Sequence, residues 1–432
     1  MSHMAETHTH PNSWYAASVD LPEPFPALAG DHETDVCVVG GGYTGLSAAI
    51  HLRQLGFRVC LLEAHRVGWG ASGRNGGHVG TGQRADMRDI EKWVGLTAAK
   101  DLWRLGLQAV ELVEALTAQF KIDCELGDGN LHLASKPSHA RDAQQEVEHL
   151  RSVYGYDRIS YLCRKDIAER TSGQGFYGGV LDSGARHLHP LKYALGLARA
   201  AQSLGVEIFE HSAVTEITSS PDVSLRTACG HVKARYAVLG CNGYLGQLEP
   251  RMAARIMPIN NFVVATEPLS DALWQRINRD RTSMSDSLFV IDYWKLSADN
   301  RLLFGGGENY TRRFPADIKN FVRPYLLKIY PELANTAIDY GWGGTLAITM
   351  NRMPDFGILD DRIFYAQGFS GHGVPTATMA GKLIAQAIDG DCRDFDVFAN
   401  VPTTRFPGGT LLRWPGLVVG MLFYSLLDKL GR

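Results

Sequence analysis

The run Asp35-Val36-Cys37-Val38-Val39-Gly40-Gly41-Gly42-Tyr43-Thr44-Gly45, followed after a helix-length gap by Arg58-Val59-Cys60-Leu61-Leu62-Glu63, constrains this chain more than any other feature. It has the form of a strand, a glycine turn, a helix and a second strand closed by an acid. The apolar block before the turn is of the kind buried on both faces of a parallel sheet. Leu46, Ala49, Ile50 and Leu52 then recur at helical spacing until Gly56 supplies a C-terminal cap. Gly40 permits the tight turn, Gly42 lets backbone approach a pyrophosphate, and Gly45 lets the helix pack closely on the strand. Tyr43 and Thr44 open that helix, whose unpaired amides and dipole favour an anion. Glu63 lies eighteen residues beyond Gly45, close to the spacing at which a carboxylate accepts ribose hydroxyls. A 2′-phosphate beside it would meet a repulsion of roughly 1 to 4 kcal/mol per charge pair, which disfavours NADP.

A chain of 432 residues, 45% apolar and 21% charged, buries a large core and is expected to divide into two domains. A net charge of −3 with no Lys/Arg cluster excludes an electrostatic footprint for nucleic acid. The seven cysteines, Cys37, Cys60, Cys124, Cys163, Cys229, Cys241 and Cys392, are scattered and form no CxxC pair. That argues for a reducing compartment and against a zinc site, so no metal is expected. The N-terminus carries no basic-then-apolar signal pattern, which makes cytoplasmic the default location. The most apolar tract, Trp414 to Leu427, is too short to span a bilayer and contains Pro415. It reads as a C-terminal helix packed on the protein, or as a weak peripheral membrane or dimer contact.

Strand and helix signals alternate along the chain, which predicts an α/β fold. A glycine-rich loop runs from Gly68 to Gly82. Leu102, Leu105, Ala109, Leu112, Val113 and Leu116 then share one face of a long helix. A polar, mixed region extends to about Gly184. His189-Pro190 opens a helix through Leu204, and strands are expected at Val206 to Phe209, Ala213 to Ile217 and Ala237 to Gly240. The last of these ends in Cys241-Asn242-Gly243, a second turn able to face a nucleotide. Residues 251 to 353 show the alternation of an antiparallel sheet, as in Phe262 to Ala265 and Arg301 to Gly305. After Ile363 to Ala366 come a loop, Gly368 to Gly373, and a helix from Ala377 to Ile388. This order places a discontinuous nucleotide domain at 30–80, 185–250 and 355–395, a second domain at 81–184 and 251–354, and a C-terminal extension at 396–432.

The loop Gly68-Trp69-Gly70-Ala71-Ser72-Gly73-Arg74-Asn75-Gly76-Gly77 sets this unit apart from a plain NAD domain, because so many glycines mean backbone lying against something. The Gly368 to Gly373 loop precedes a helix whose N-terminal dipole is placed to stabilise negative charge on a reduced flavin. The motifs Val39 to Gly45, Gly70 to Gly77, Ser297 to Leu303, Arg352 to Gly357 and Gly368 to Gly373 resemble those of the γ-glutamylputrescine oxidase group, within the D-amino-acid oxidase/glycine oxidase (DAO) superfamily of FAD-dependent amine oxidoreductases. The likeness covers nearly the whole chain, from Trp14 to the segment around Tyr424.

The resemblance implies a Rossmann-like FAD domain with an inserted antiparallel-sheet substrate domain covering the flavin. It implies that Gly40, Gly42 and Gly45 cradle the pyrophosphate and that Glu63, Ala64 and Arg66 border the AMP moiety. The backbone of Val214 would meet the adenine, with Cys241, Asn242 and Gly243 at the second turn. Ser72, Gly73, Arg74, Asn75, Gly76, Gly77, Gly371, His372, Gly373 and Val374 would hold the isoalloxazine side. Relatives that attach the flavin covalently use a cysteine ahead of the terminal glycine loop. Gly341 to Thr345 contains none, so FAD is expected to be non-covalent.

The implied reaction removes a hydride from the carbon beside an amine nitrogen, and the resulting imine hydrolyses to an aldehyde. Oxygen or a respiratory acceptor would reoxidise the flavin. An ammonium has no lone pair to drive hydride loss, so a dry site must lower the amine pKa or a base must take the proton. His372 and His78 are the candidate polar contacts to the flavin. Tyr293 and Trp294 are candidates to wall an amine by cation–π contact, or are simple core. Arg352 is a candidate carboxylate or flavin contact, or a structural ion pair. Sarcosine, glycine or D-amino acids are the alternative substrates, and a non-catalytic flavin module or one serving RNA modification is the alternative class.

Overall fold

The computed structural model describes residues 9–309 and 313–410. At its centre the strand Gly30–Val39 pairs in parallel with Val59–Leu62 on one side and Gly230–Leu239 on the other. Glu207–Phe209 and Ile363–Gln367 extend the parallel block outward, and Asp355–Leu359 closes one edge antiparallel. Val223–Arg226 and Glu216–Thr218 add a small antiparallel flap, completing eight strands. The strand expected from Ala213 begins only at Glu216.

Burial on both faces explains the continuous apolar runs. Val36, Cys37 and Val38 are fully enclosed, with the helices Tyr43–Gln54, Pro190–Ser203 and Gly373–Ile388 belonging to the same core as Val36 and Val38. Leu46, Ile50 and Leu52 have no exposed surface, and each contributes roughly 1.5–3 kcal/mol by leaving water. Gly45 is the tightest point of this packing: a Cβ there would lie 2.0 Å from the Gly40 carbonyl oxygen. His189 caps the helix Pro190–Ser203 through Nδ1, which accepts from the Lys192 N–H. The helix expected from Ala377 begins four residues earlier, at Gly373, and runs to Ile388.

The second sheet has nine strands. Ile338–Ile348, Met257–Pro268, Arg301–Asn309, Tyr293–Leu296 and Ser283–Asp286 run antiparallel in that order. Gly127–Leu133, Gly178–His187 and Ile159–Cys163 form a second antiparallel group. The two groups join through a parallel pair, Ser283–Asp286 with Gly127–Leu133. The antiparallel sheet expected from residues 251 to 353 is present; its parallel junction joins strands from distant segments, where no hairpin dictates direction. The mixed region before Gly184 holds five elements that polar composition concealed: the strands Gly127–Leu133, Ile159–Cys163 and Gly178–His187 and the helices Pro137–Tyr154 and Arg164–Ala168. His78–Val79, assigned by sequence to the nucleotide domain, pairs with Arg186 and His187 in this second sheet.

The helix Met87–Gln119 buries the predicted face and breaks at Gly95, which has φ +80°. All seven cysteines are free. Among the described residues no helix is long and apolar enough to cross a membrane, and no side-chain group is arranged to hold a metal. The apolar tract Trp414 to Leu427 and the contacts proposed for it lie outside the described residues.

Candidate active site

The parallel strands end at a glycine turn that leaves polar backbone facing a cavity of about 750 Å³. Gly40 has φ +105°, a conformation a side chain resists, and its N–H donates to the Leu62 carbonyl at 2.8 Å. Glu63 reaches back to the turn. Its Oε2 accepts from the Gly41 N–H at 2.7 Å and its Oε1 from the His65 N–H at 2.9 Å. Burial pushes the Glu63 carboxyl above its ordinary range, while these amides pull the other way.

The helix Tyr43–Gln54 starts at Gly42 with no side-chain cap, and Gly373–Ile388 starts at His372 in the same way. Two positive helix ends therefore reach the same cavity. Ser72 braces the first, its Oγ accepting from the Tyr43 N–H at 3.1 Å and its carbonyl from the Tyr43 hydroxyl at 2.6 Å. Asn75 holds the glycine loop by donating to the carbonyls of Ala71 and Ser72 and accepting from the Gly77 N–H. Arg74 lies across this loop, donating to the carbonyls of Trp69 and Gly343, with its guanidinium 4.0 Å from the Trp69 ring centre. The cradle fits a long group with a central anion and an apolar ring system.

Farther along, the same cavity passes between the two sheets into a chamber lined by His78, Tyr293, Asn261, Arg352 and His372. The Tyr293 ring fits a slot between Gly76 and Gly305, where a Cβ on either would collide with it. Its hydroxyl donates to Asn261 Oδ1 at 2.5 Å. His78 meets Tyr293 edge-on at 5.6 Å between ring centres, and its Nε2 pairs with the Met284 carbonyl at 3.1 Å. His372 has a buried Nε2 with no partner among the described residues. Burial holds both imidazoles down at about 4, so they are neutral near pH 7. Arg352 adopts φ +63° and lies 5.6 Å from the Phe289 ring centre at the chamber.

Most sequence candidates meet here. Gly40, Gly42, Tyr43, Thr44, Glu63, Ala64, Ser72, Arg74, Asn75, Gly76, Val214, Cys241, Asn242, Gly371, Gly373 and Val374 line the cavity together with the chamber residues. Others stand behind it. Arg66 is corrected to a structural role, its Nε 2.7 Å from Glu210 Oε2 and its guanidinium donating to the Pro22 carbonyl. Trp294 is fully buried between Phe176, Phe304 and Tyr330 in the second sheet's core and walls no site. Neighbouring strand positions face opposite ways, so Tyr293 faces the chamber and Trp294 the core. Gly45 and Gly73 back their turns, Gly77 packs on the Leu188 carbonyl, and Gly243 packs on Thr345 and Leu346.

The chamber also recruits residues absent from the sequence candidates, namely Asn261, His132, Arg84, Asp86, Glu146 and Asp182. Asn261 had a signal, as a second consecutive amide inside an apolar strand. Glu146 had a subtler one: it lies three residues from Ala143 and four from Leu150, on the buried stripe of its helix.

The family model for FAD dependent oxidoreductases (DAO) matches residues 35–387. The chain is 41% identical over 423 residues to the γ-glutamylputrescine oxidoreductase of Escherichia coli, covering 98% of this chain and 99% of that one. It is 37% identical to the probable oxidoreductase OrdL of Rhizobium meliloti, over 96% and 97% of the two chains. Among solved structures, glycine oxidase from Geobacillus kaustophilus superposes with a TM-score of 0.70 at 22% identity, covering 83% of this chain and 95% of that one, a likeness of fold.

Proposed function

This chain belongs to the FAD-dependent oxidoreductase (DAO) family, and from that premise we propose that it oxidises an amine, with γ-glutamylputrescine or a related polyamine or alkylamine as substrate. The observation that carries the reading is the continuity of one cavity from the Gly40–Glu63 cradle to the chamber of His78, Tyr293, Arg352 and His372. The 41% identity to the E. coli γ-glutamylputrescine oxidoreductase, over 98% of this chain, supports the amine class. When bound, FAD accepts a hydride from the carbon beside the amine nitrogen.

The chain's residues hold, orient and desolvate. Gly40 shapes the turn, Gly42 and Thr44 bring backbone up to the pyrophosphate at the helix start, Glu63 accepts the ribose hydroxyls, and Arg74 to Gly76 with Gly371 to Val374 border the flavin ring. No covalent link forms, because Gly341 to Thr345 offers no thiol. Neutral His372 and His78 orient polar atoms by hydrogen bonding. With pKa values near 4, neither holds a proton taken from an alkylammonium. The burial that neutralises them acts in the same direction on the substrate's reacting ammonium, lowering its pKa toward the free amine that hydride loss requires. Departure of the hydride leaves an imine, which water converts to an aldehyde and ammonia or a smaller amine.

Anaerobic titration of the yellow protein tests this. γ-Glutamylputrescine or putrescine should bleach the flavin band and NADH should not. Bleaching by sarcosine, glycine or D-amino acids alone would overturn the substrate class and leave the family intact. Admitting oxygen or a quinone afterwards identifies the electron acceptor. Acid precipitation should leave the colour in the supernatant.

A further inference from the structure

Beyond the chamber the cavity continues to an acidic end built by the helix Pro137–Tyr154 and the strands Gly127–Leu133 and Gly178–His187. The two parts are adjacent, because a Cβ on Gly80 would lie 2.9 Å from His372 Cε1 while the next residue, Thr81, donates to Asp182 Oδ2 at 2.5 Å. Asp182 is fully engaged: its Oδ1 also accepts from the Tyr156 hydroxyl and the Gly184 N–H. Asp86 is engaged too, capping the helix Met87–Gln119 and pairing with Arg88. The His149 imidazole pairs with Glu91.

Glu146 differs from all of these. It is half-buried on the inward stripe of its helix and lines the cavity, and its carboxylate has no hydrogen-bond or ion-pair partner among the described residues. Burial, reinforced by Asp86 and Asp182, raises its carboxyl to about 7, with Arg88 opposing. An unpaired acid facing a partly enclosed cavity is costly to ionise and has no structural partner to explain it. The buried Trp103 indole, 6% exposed, adds an aromatic wall whose face attracts cations.

Resting on the amine reading above, we propose that Glu146, backed by Asp182 and Trp103, is the seat of the substrate's distal ammonium, so that the cavity selects amines carrying a second positive charge away from the reacting carbon. The arriving ammonium supplies the donor that Glu146 lacks and keeps it ionised. The shared chemistry is a primary ammonium, supplied either by the far end of a free polyamine or by the α-amino group of a γ-glutamyl cap.

The test compares the holoenzyme with its Glu146→Gln variant on γ-glutamylputrescine, putrescine and butylamine. Half-saturation is measured for anaerobic flavin reduction. Binding is measured separately by calorimetry on dithionite-reduced enzyme, which cannot turn over. The variant should weaken at least one diammonium ligand about tenfold or more, as loss of a charge-assisted hydrogen bond requires, and change butylamine less than twofold. Which diammonium is affected identifies the source of the distal charge. Equal changes for all three, or no change, would overturn the proposal. Flavin content and melting temperature verify that the variant folds. Failure of every amine to bleach the wild-type flavin would defeat the amine reading alone, because calorimetry still reports whether Glu146 selects diammonium ligands.

Discussion

The two ends of the cavity are made of different material. The cradle is mainly backbone: glycine turns, two uncapped helix starts and one carboxylate that itself accepts backbone amides. The chamber is side chains drawn from many elements, among them His78, Asn261, Tyr293, Arg352, His372 and Glu146. A backbone site tolerates few residues at each position and so marks the sequence. A side-chain site uses ordinary residues and becomes a site only through assembly.

This contrast predicts that the cradle breaks by steric intrusion and the chamber by loss of a function. Gly45→Val should have the largest effect, since its Cβ meets the Gly40 carbonyl where nothing can yield. Little soluble protein is expected, by yield and thermal melt. Gly42→Val meets mainly the Ser72 hydroxyl at 2.9 Å, which can rotate, so the protein should fold and purify as colourless apoprotein. Normal flavin content in that variant would break the assignment of the cradle. Glu63→Ala should weaken FAD by about 1.5–3 kcal/mol, read as loss of flavin on dilution, because hydrogen bonds to a charged acceptor disappear.

Smaller effects separate groups within the chamber by pH. Burial lowers His78, His132 and His372 to about 4 in the fold, below their ordinary 6.5. The unfolded chain therefore binds more protons between these values, and stability should fall as pH drops from about 6.5 toward 4. Glu146 has the opposite sign. Its raised folded pKa means that its stabilising share is complete below about 4.5 and is lost as pH rises through about 7. Glu146→Gln should remove that loss, so wild type and variant should melt closer together at pH 5 than at pH 8, with the variant higher at pH 8. The smallest change is expected for Tyr293→Phe, which deletes one hydroxyl contact to Asn261 and should lower stability by about 1 kcal/mol in a denaturant titration.

Much of the cradle was legible because its chemistry is local. Gly40, Gly42, Gly45 and Glu63 lie within one strand–turn–helix–strand unit, and the spacing alone brings the acid back to the turn. The long helix face from Leu102 to Leu116 was equally readable from its period. Arg66 was placed beside the AMP moiety by family resemblance alone, and its ion-pair partner Glu210 lies far away in sequence. Tyr293 and Trp294 were indistinguishable as aromatic neighbours until the strand's two faces received their environments.

The sequence by itself determined the parallel nucleotide unit, the anion-binding turn and the family to which the chain belongs, because each rests on local motifs whose backbone geometry only certain residues permit. The tertiary structure decided the chamber: which face of the second sheet looks inward, that His78–Val79 joins that sheet, and that Glu146 points into the cavity without a partner. Those outcomes depend on contacts between residues tens to hundreds of positions apart. No local spacing encodes them, since burial and electrostatic environment exist only once the elements have packed.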